Sequence, residues 1–116
     1  MAGVRQPLNG KNVMCLVQLH VGGLVAVGVD PSGRYLLTVT HSGRGVFDTS
    51  TWQRVARDVE LAYPVDGRAE GIGPLAGQMI PVREIDYKTS TMTDAVVGAF
   101  AISYGEGDVI VKSAGT

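Results

Sequence analysis

The sequence predicts an all-β protein of one domain, with an antiparallel meander sheet packed as a small sandwich or partly open barrel. Within residues 24–58, four short apolar runs alternate with turn signals, and the runs are rich in Val, Leu, Thr and aromatic residues, as strands are. Sixteen glycines and few long-chain helix formers also favour strands and turns. Because the connections are short, neighbouring strands can only fold back on one another.

The meander consists of four predicted strands. They cover residues 24–29, 35–40, 44–48 and 52–58. Pro31 presets φ for the second position of the first turn, and Gly33 can take the left-handed conformation that closes this turn. In the second strand, Tyr35, Leu37 and Val39 share one face, which we expect to be buried.

An apolar stretch precedes the meander and contains Gly22 and Gly23. A Gly-Gly pair between two β-branched runs is a strong hairpin signal, because both turn positions accept positive φ. The sequence therefore predicts that a strand over 12–21 pairs with 24–29, which gives a five-stranded meander over 12–58. Polar residues and glycines interrupt the stretch, and it is short for a membrane span, so we predict no membrane association and a cytoplasmic location.

Two parts of the chain carry weaker signals. Residues 1–11 are polar and predict a loosely held, flexible arm, while 59–78 predict a loop region with tight turns. A Val-Asp…Gly-Arg motif at 29–34 recurs loosely at 65–68. The recurrence leaves open whether the second half is a degenerate repeat of the first.

The last third, residues 79–112, predicts additional strands. Residues 79–86 form one of them, and Pro81 should confine it to a sheet edge or to its own start. The run 95–103 is apolar on both faces and predicts one buried central strand. A Gly-Glu-Gly turn then leads into a final strand over 108–112.

Short motifs in the meander match a known family. Val-Asp-Pro-Ser-Gly-Arg at 29–34 stands where the family has SPDGR, and Val-Phe-Asp at 46–48 stands where it has VWD. Gly43 matches the turn before the third strand, and Thr-Trp-Gln-Arg-Val at 51–55 matches TGKxV. Residues 24–58 therefore resemble one blade of a WD40-type β-propeller.

The resemblance has two departures and limited reach. Phe47 replaces the signature tryptophan, and Trp52 stands where a turn glycine is usual. A propeller needs at least four blades of about 40 residues, which a chain of 116 residues does not hold. The resemblance implies a blade-like sheet and an interaction role, and it implies no activity.

Charge and ligand-type residues narrow the function further. Ten Lys and Arg against eleven Asp and Glu give a formal net charge of −1, so no nucleic-acid partner is expected. Antiparallel pairing could bring Arg44 and Arg54 together, but acidic residues interleave with them. Cys15, His20 and His41 lack the close spacing of a zinc site, and we predict no metal and no cofactor.

We predict a non-enzymatic protein–protein interaction domain that uses a sheet edge for a protein partner or for self-association. The outer strand 52–58 contains no proline, and unpaired edge backbone recruits other chains. Trp and Arg are enriched in binding hot spots, so Trp52, Arg54 and Arg44 are the predicted partner-binding residues. The alternative for Trp52 is that it caps the core at the end of the sheet. A small bacterial immunity or antitoxin-type protein fits the size, the charge and the lack of a catalytic constellation.

A small-ligand-binding β domain is the alternative function, with a pocket between the sheet and the loop 71–77. Gly71, Gly73 and Gly77 are its predicted ligand-binding residues. A phosphate cradle needs several N–H groups aimed at the anion, and Pro74 removes one of them. The glycine spacing is therefore more typical of a bend.

A third possibility is a hydrolase triad of His41, Ser42 and Asp48. Such a triad needs a base within hydrogen-bond reach of the nucleophile. His41 and Ser42 fall in a predicted turn, where serine commonly bonds its own backbone, so a turn role is favoured.

Overall fold

The computed structural model describes residues 3–5, 16–86, 88–98, 100–105 and 108–113. Within them the chain is all-β, with two antiparallel sheets, and this confirms the predicted fold class. The strands are β1 (Gly3–Arg5), β2 (Leu16–His20), β3 (Leu24–Val29), β4 (Tyr35–Thr40), β5 (Gly43–Asp48), β6 (Arg54–Asp58), β7 (Arg68–Glu70), β8 (Met79–Glu84), β9 (Met92–Val97), β10 (Phe100–Gly105) and β11 (Asp108–Ser113). A 3-10 turn, Gly73–Leu75, lies between β7 and β8.

The middle of the chain forms the first sheet, and the two ends together form the second. The first sheet has the order β6-β5-β4-β3-β8-β7 and is strongly curled into a half-barrel. The second has the order β1-β2-β11-β10-β9. Gln18 of β2 pairs with Ile110 of β11, so residues far apart in sequence join the two halves of this sheet. Gly3–Arg5, inside the predicted arm, pair with β2.

The four-stranded meander is confirmed. Strands β3, β4, β5 and β6 pair in sequence order, and Leu37 lies between Gly28 on one side and Val46 on the other. The observed β3 and β4 have the predicted bounds, and β5 begins one residue earlier, at Gly43. The fourth strand starts at Arg54 because Trp52 has left the sheet plane with a positive φ.

The predicted hairpin between β2 and β3 is wrong. β2 pairs with β1 and β11, whereas β3 pairs with β4 and β8. The turn at Gly22 and Gly23 has a positive φ, +69°, only at Gly23. The two-residue hairpin turns need a positive φ at the first position or at both, so this turn carries the chain from one sheet to the other. Residues 12–15 of the predicted strand lie outside the described residues.

The predicted central strand over 95–103 is also wrong, because this run forms the hairpin of β9 and β10. Val97 pairs with Phe100, which leaves a two-residue turn between them. Gly98 takes a φ of +59° there, a conformation that glycine adopts without steric cost. The turn lies within one apolar run, so the sequence pattern does not mark it. The run is also not buried on both faces, because the side chain of Val96 is 70% exposed.

Pro81 does not confine β8 to a sheet edge or place it at the strand start. β8 lies between β7 and β3, which pair with different halves of it. β7 pairs along Met79 to Pro81, while β3 pairs along Val82 to Glu84. Pro81 thus stands at the junction of the two pairings. Proline has no backbone N–H, and no continuous ladder requires one at this position.

Both faces of the first sheet are buried. Leu37 and Val39 face the core inside the curl, as predicted for their face of β4. Leu36, on the opposite face, belongs to a second core between the two sheets. The excursion 59–78 closes the inner core with Leu75, which is 1% exposed. The protein is therefore built in three layers, with the first sheet in the middle.

Truncating either face of β4 should destabilise the protein. Leu36→Ala and Leu37→Ala should each lower the free energy of unfolding by about 2–4 kcal/mol, because each leaves a cavity in a separate core. Urea melts followed by circular dichroism measure this change. The exposed Val96→Ala is the control and should stay within about 0.5 kcal/mol of the parent protein. A loss below about 0.5 kcal/mol for either leucine would show that its face is not a core.

Candidate functional site

The candidate site is the free edge of the first sheet, formed by β6. The sheet order ends at β6, which confirms the predicted edge position of this part of the chain. Arg54, Val55 and Arg57 are exposed, and the side chain of Val55 is 47% exposed. No proline interrupts the strand. An edge of this kind presents unpaired N–H and C=O groups to the surroundings.

The other sheet ends are less available than β6. Strands β1 and β7 have three residues each, so each offers a short edge. β9 lies against β3 and β8. Short or covered edges are the usual protection against strand addition. β6 has five residues, and no strand of the described residues pairs with its outer side, although the 3-10 turn Gly73–Leu75 packs on it through Ala56.

Arg44 lies inside the fold and presents little side chain to a partner. Its side chain is 5% exposed, and its Nη2 is 2.7 Å from Oδ2 of Asp58. Its Nη1 also donates to the backbone oxygen of Glu70, at 3.0 Å. A buried guanidinium requires such partners to offset its desolvation. Arg44 therefore fastens β5 and β6 to the excursion 59–78.

Trp52 is also internal. It is 5% exposed and packs edge-on against Phe100 of the second sheet, with ring centroids 5.6 Å apart. Trp52 is therefore not available to a partner as predicted, and the alternative that it caps the core is the arrangement observed. Its φ of +59° is the conformation that a turn glycine usually takes. That backbone turns the indole into the space between the sheets.

Hydrogen bonds around Asp48 set the turn that precedes Trp52. Oδ1 of Asp48 accepts hydrogen bonds from the Ser50 hydroxyl at 2.6 Å and the Ser50 N–H at 2.8 Å. Oδ2 is 3.2 Å from Nη2 of Arg34. The Ser50 groups, and then Arg34, lower the pKa of Asp48 to about 2. The Thr49 hydroxyl donates to the Gly33 carbonyl at 2.8 Å, which locks this turn to the β3–β4 turn.

A cleft of about 250 Å³ opens beside β6, and sequence reasoning missed it. Its lining includes Arg54 and Arg57 and comes from β4, β5, β6, the β4–β5 turn and the β2–β3 connection. Thr38, Gly45 and Arg57 lie in one row across three strands. A Cβ on Gly45 would lie 3.1 Å from Oγ1 of Thr38 and 3.5 Å from Cδ of Arg54. The glycine therefore keeps the floor of the cleft open. Arg44 lines the cleft too, but the register pairs it with Asp58 and pairs Arg54 with Phe47, so strand pairing does not place the two arginines opposite each other.

The loop 71–77 supports the fold instead of enclosing a ligand pocket. Leu75 fills the space between this loop and the sheet. The loop amides bond internally, as the Gly71 N–H does to Gln78, and the Ala76 N–H to Gly73. A Cβ on Gly73 would overlap the Cβ of Ala56, so the glycine permits close packing on β6. Gly77 lies outside the lining of the cleft described above. The predicted ligand pocket at this loop is therefore occupied by the protein itself.

An exposed apolar segment follows β6, and sequence reasoning missed this feature as well. Val59, Leu61, Tyr63 and Val65 are 73%, 57%, 48% and 67% exposed. These residues alternate along residues 59–65, and the period of two is the signal that could have revealed them. The segment is an exposed apolar strip that follows β6 in the chain and lies near the β4–β5 turn, where Tyr63 contacts His41.

The three residues of the considered triad do not come together. His41 and Ser42 precede β5, whereas Asp48 ends it. Nδ1 of His41 is 3.4 Å from the Tyr63 hydroxyl, and the Ser42 N–H donates to Oγ1 of Thr40. Among the residues with described positions, no group of three or more His, Cys, Asp or Glu side chains could hold a metal ion. The same part of the chain has no helix long and apolar enough to cross a membrane.

Comparisons with known proteins add no assignment. The chain matches no protein-family model, no curated protein and no solved structure. The site is therefore interpreted from its own geometry.

Trp52 should be a core residue whose loss costs about 3–5 kcal/mol when it is replaced by alanine. Trp52→Gly should cost about 1 kcal/mol less than Trp52→Ala, because only glycine takes the observed φ without strain. Urea melts followed by circular dichroism measure both variants. A glycine variant less stable than the alanine variant would contradict the strained turn, and a loss below about 0.5 kcal/mol in both would contradict burial.

Lowering the pH should reduce the free energy of unfolding, because the Asp48 carboxylate becomes protonated. The folded-state pKa of about 2 lies below the ordinary 3.8, so the ionised carboxylate stabilises the fold above pH 3.8. That contribution is lost as the pH falls through 3.8 towards 2. Urea melts at constant ionic strength should show a smaller acid dependence in Asp48→Asn than in the parent protein.

Other carboxylates account for the dependence of the free energy of unfolding on pH that remains in Asp48→Asn. Burial raises the pKa of Asp30, but hydrogen bonds from the Ser32 hydroxyl and the Tyr35 N–H lower it below its ordinary value. Identical acid dependence in the parent and Asp48→Asn would contradict the assignment of the effect to Asp48.

Proposed function

We propose that this protein is a non-enzymatic protein-binding domain that receives an extended segment of another protein along β6. The observations that carry the proposal are the β6 edge, whose outer side no described strand pairs with, and the exposed apolar segment 59–65 that follows β6 in the chain. A partner strand would complete the hydrogen-bond ladder and cover exposed valine, leucine and tyrosine side chains.

The exposed groups fit an extended partner better than a helical one. Unpaired edge backbone is satisfied by another strand, which aligns its own N–H and C=O groups with it. The apolar side chains of 59–65 alternate, and a partner strand has the same period of two. Arg54 and Arg57 flank the edge and disfavour a partner segment rich in Lys or Arg.

Of the three predicted partner-binding residues, the proposal keeps one. It also includes a more specific role, that of a partner-neutralising protein. Arg54 remains an exposed partner-binding candidate, while Arg44 and Trp52 hold the edge in place from inside the fold. A partner-neutralising role of the immunity or antitoxin type would be one such interaction. The WD40-blade resemblance of 24–58 supports an interaction role in the same sense.

Linear peptides displayed on phage should identify segments that bind this edge. We expect the selected peptides to alternate apolar residues and to contain few basic ones. Hydrogen exchange of the complex should show new protection in β6, because its outward amides gain acceptors. Val55→Lys should weaken peptide binding at least about tenfold, since an edge lysine opposes strand addition.

Val96→Lys is the matched control. Val96 is an exposed valine on an edge strand of the other sheet, so this variant should keep the parent affinity within about twofold. Peptides that bind without protecting β6, or that lose affinity equally in both variants, would contradict the proposal. A concentration-dependent dimer that Val55→Lys dissolves would show a second copy of the chain to be the partner.

A further inference from the structure

We propose that the cleft beside β6 binds the phosphate group of a small phosphate monoester. This cleft lies alongside the edge discussed above, and the proposal does not depend on strand addition. Three features of its lining point to this ligand class: its charge, its hydrogen-bond donors and its apolar wall.

Two of the three arginines that line the cleft form no ion pair within the described part of the chain. Within the described part of the chain, neither Arg54 nor Arg57 lies within 4.0 Å of a carboxylate oxygen. Arg44 and Asp58 also line the cleft, but Arg44 is ion-paired with Asp58 at 2.7 Å and lies 3.5 Å from a carboxylate oxygen of Glu60 and 4.0 Å from one of Glu70. Two arginines that line one cleft and form no ion pair attract an anion. A phosphate monoester carries a charge of about −1.5 to −2 at neutral pH, which matches the two arginines.

The available donors suit a phosphate group. Guanidinium groups donate pairs of parallel hydrogen bonds to phosphate oxygens, and two of them line the cleft. The Ser42 hydroxyl also lines it and is exposed. The Thr38 and Thr40 hydroxyls already donate to backbone oxygens of β5, so they shape the cleft without needing the ligand.

The size and the wall of the cleft indicate a monoester with a small apolar body. A volume of about 250 Å³ exceeds that of a phosphate group, since one water molecule occupies about 30 Å³ of liquid. The lining is mostly polar, and Phe47 and Val21 supply its smaller apolar part. Gly45 leaves the floor open where a larger residue would narrow it. A single ring or short chain attached to the phosphate would fill this space.

Phenyl phosphate is a suitable probe, with phenol and inorganic phosphate as matched comparisons. Titration of the 15N-labelled protein should shift the backbone amides of Thr38, Gly45 and Arg57. Phenol, which keeps the ring and lacks the charge, should bind at least about tenfold more weakly. Inorganic phosphate, which lacks the ring, should also bind more weakly than phenyl phosphate.

Arg54→Gln and Arg57→Gln should each weaken phenyl phosphate binding about tenfold, while Arg83→Gln should not change it. Arg83 is exposed on β8 and does not line the cleft, so its variant controls for total charge. No saturable shift at these amides up to about 10 mM would overturn the proposal. Equal losses in all three arginine variants would overturn it too, because the effect would then follow overall charge. Equal affinity for inorganic phosphate would overturn the monoester in favour of a free anion.

Discussion

The fold depends on covering both faces of the first sheet. Every residue of β3 and β5 is buried, and β4 sends Leu36 towards one core and Leu37 towards the other. Strands that are apolar on both faces lose stability when one face meets water. The second sheet covers one face, and the excursion 59–78 covers the other. The central meander therefore requires contributions from the strands of the second sheet and from the excursion 59–78.

Two polar clusters fix the positions of these covers and so define the exposed edge. Arg44 joins Asp58 to Glu70, while the hydrogen bonds of Asp48 direct Trp52 into the space between the sheets. Constrained charges of this kind favour one arrangement, because each loses its partners in any other. Polar groups that looked suited to binding thus serve the fold. The β6 backbone, its exposed arginines and the adjoining cleft remain available, and both proposals converge on them.

Local pattern predicted the strands more reliably than their partners. The bounds of β3 and β4 follow from alternating apolar runs between turn residues, and these signals depend on a few neighbouring residues. The Gly22-Gly23 turn failed as a hairpin signal because its use depends on where β2 is held. β11 holds β2 through pairs such as Gln18 with Ile110, and no local pattern encodes so distant a contact. The turn at Gly98 was hidden because the residues on both sides of it, at 95–97 and 100–102, are apolar.

The sequence by itself determined the all-β class, the four-stranded meander and the edge position of β6. Period-two alternation and turn chemistry are local properties, because they depend on neighbouring residues and not on contacts with distant segments. Only the tertiary structure decided that Trp52 and Arg44 are internal, since burial depends on which distant segment covers a residue. It also decided that Arg54 and Arg57 line one cleft beside Gly45. That cleft arises from strand register and from one missing side chain, and neither can be seen until three strands lie side by side.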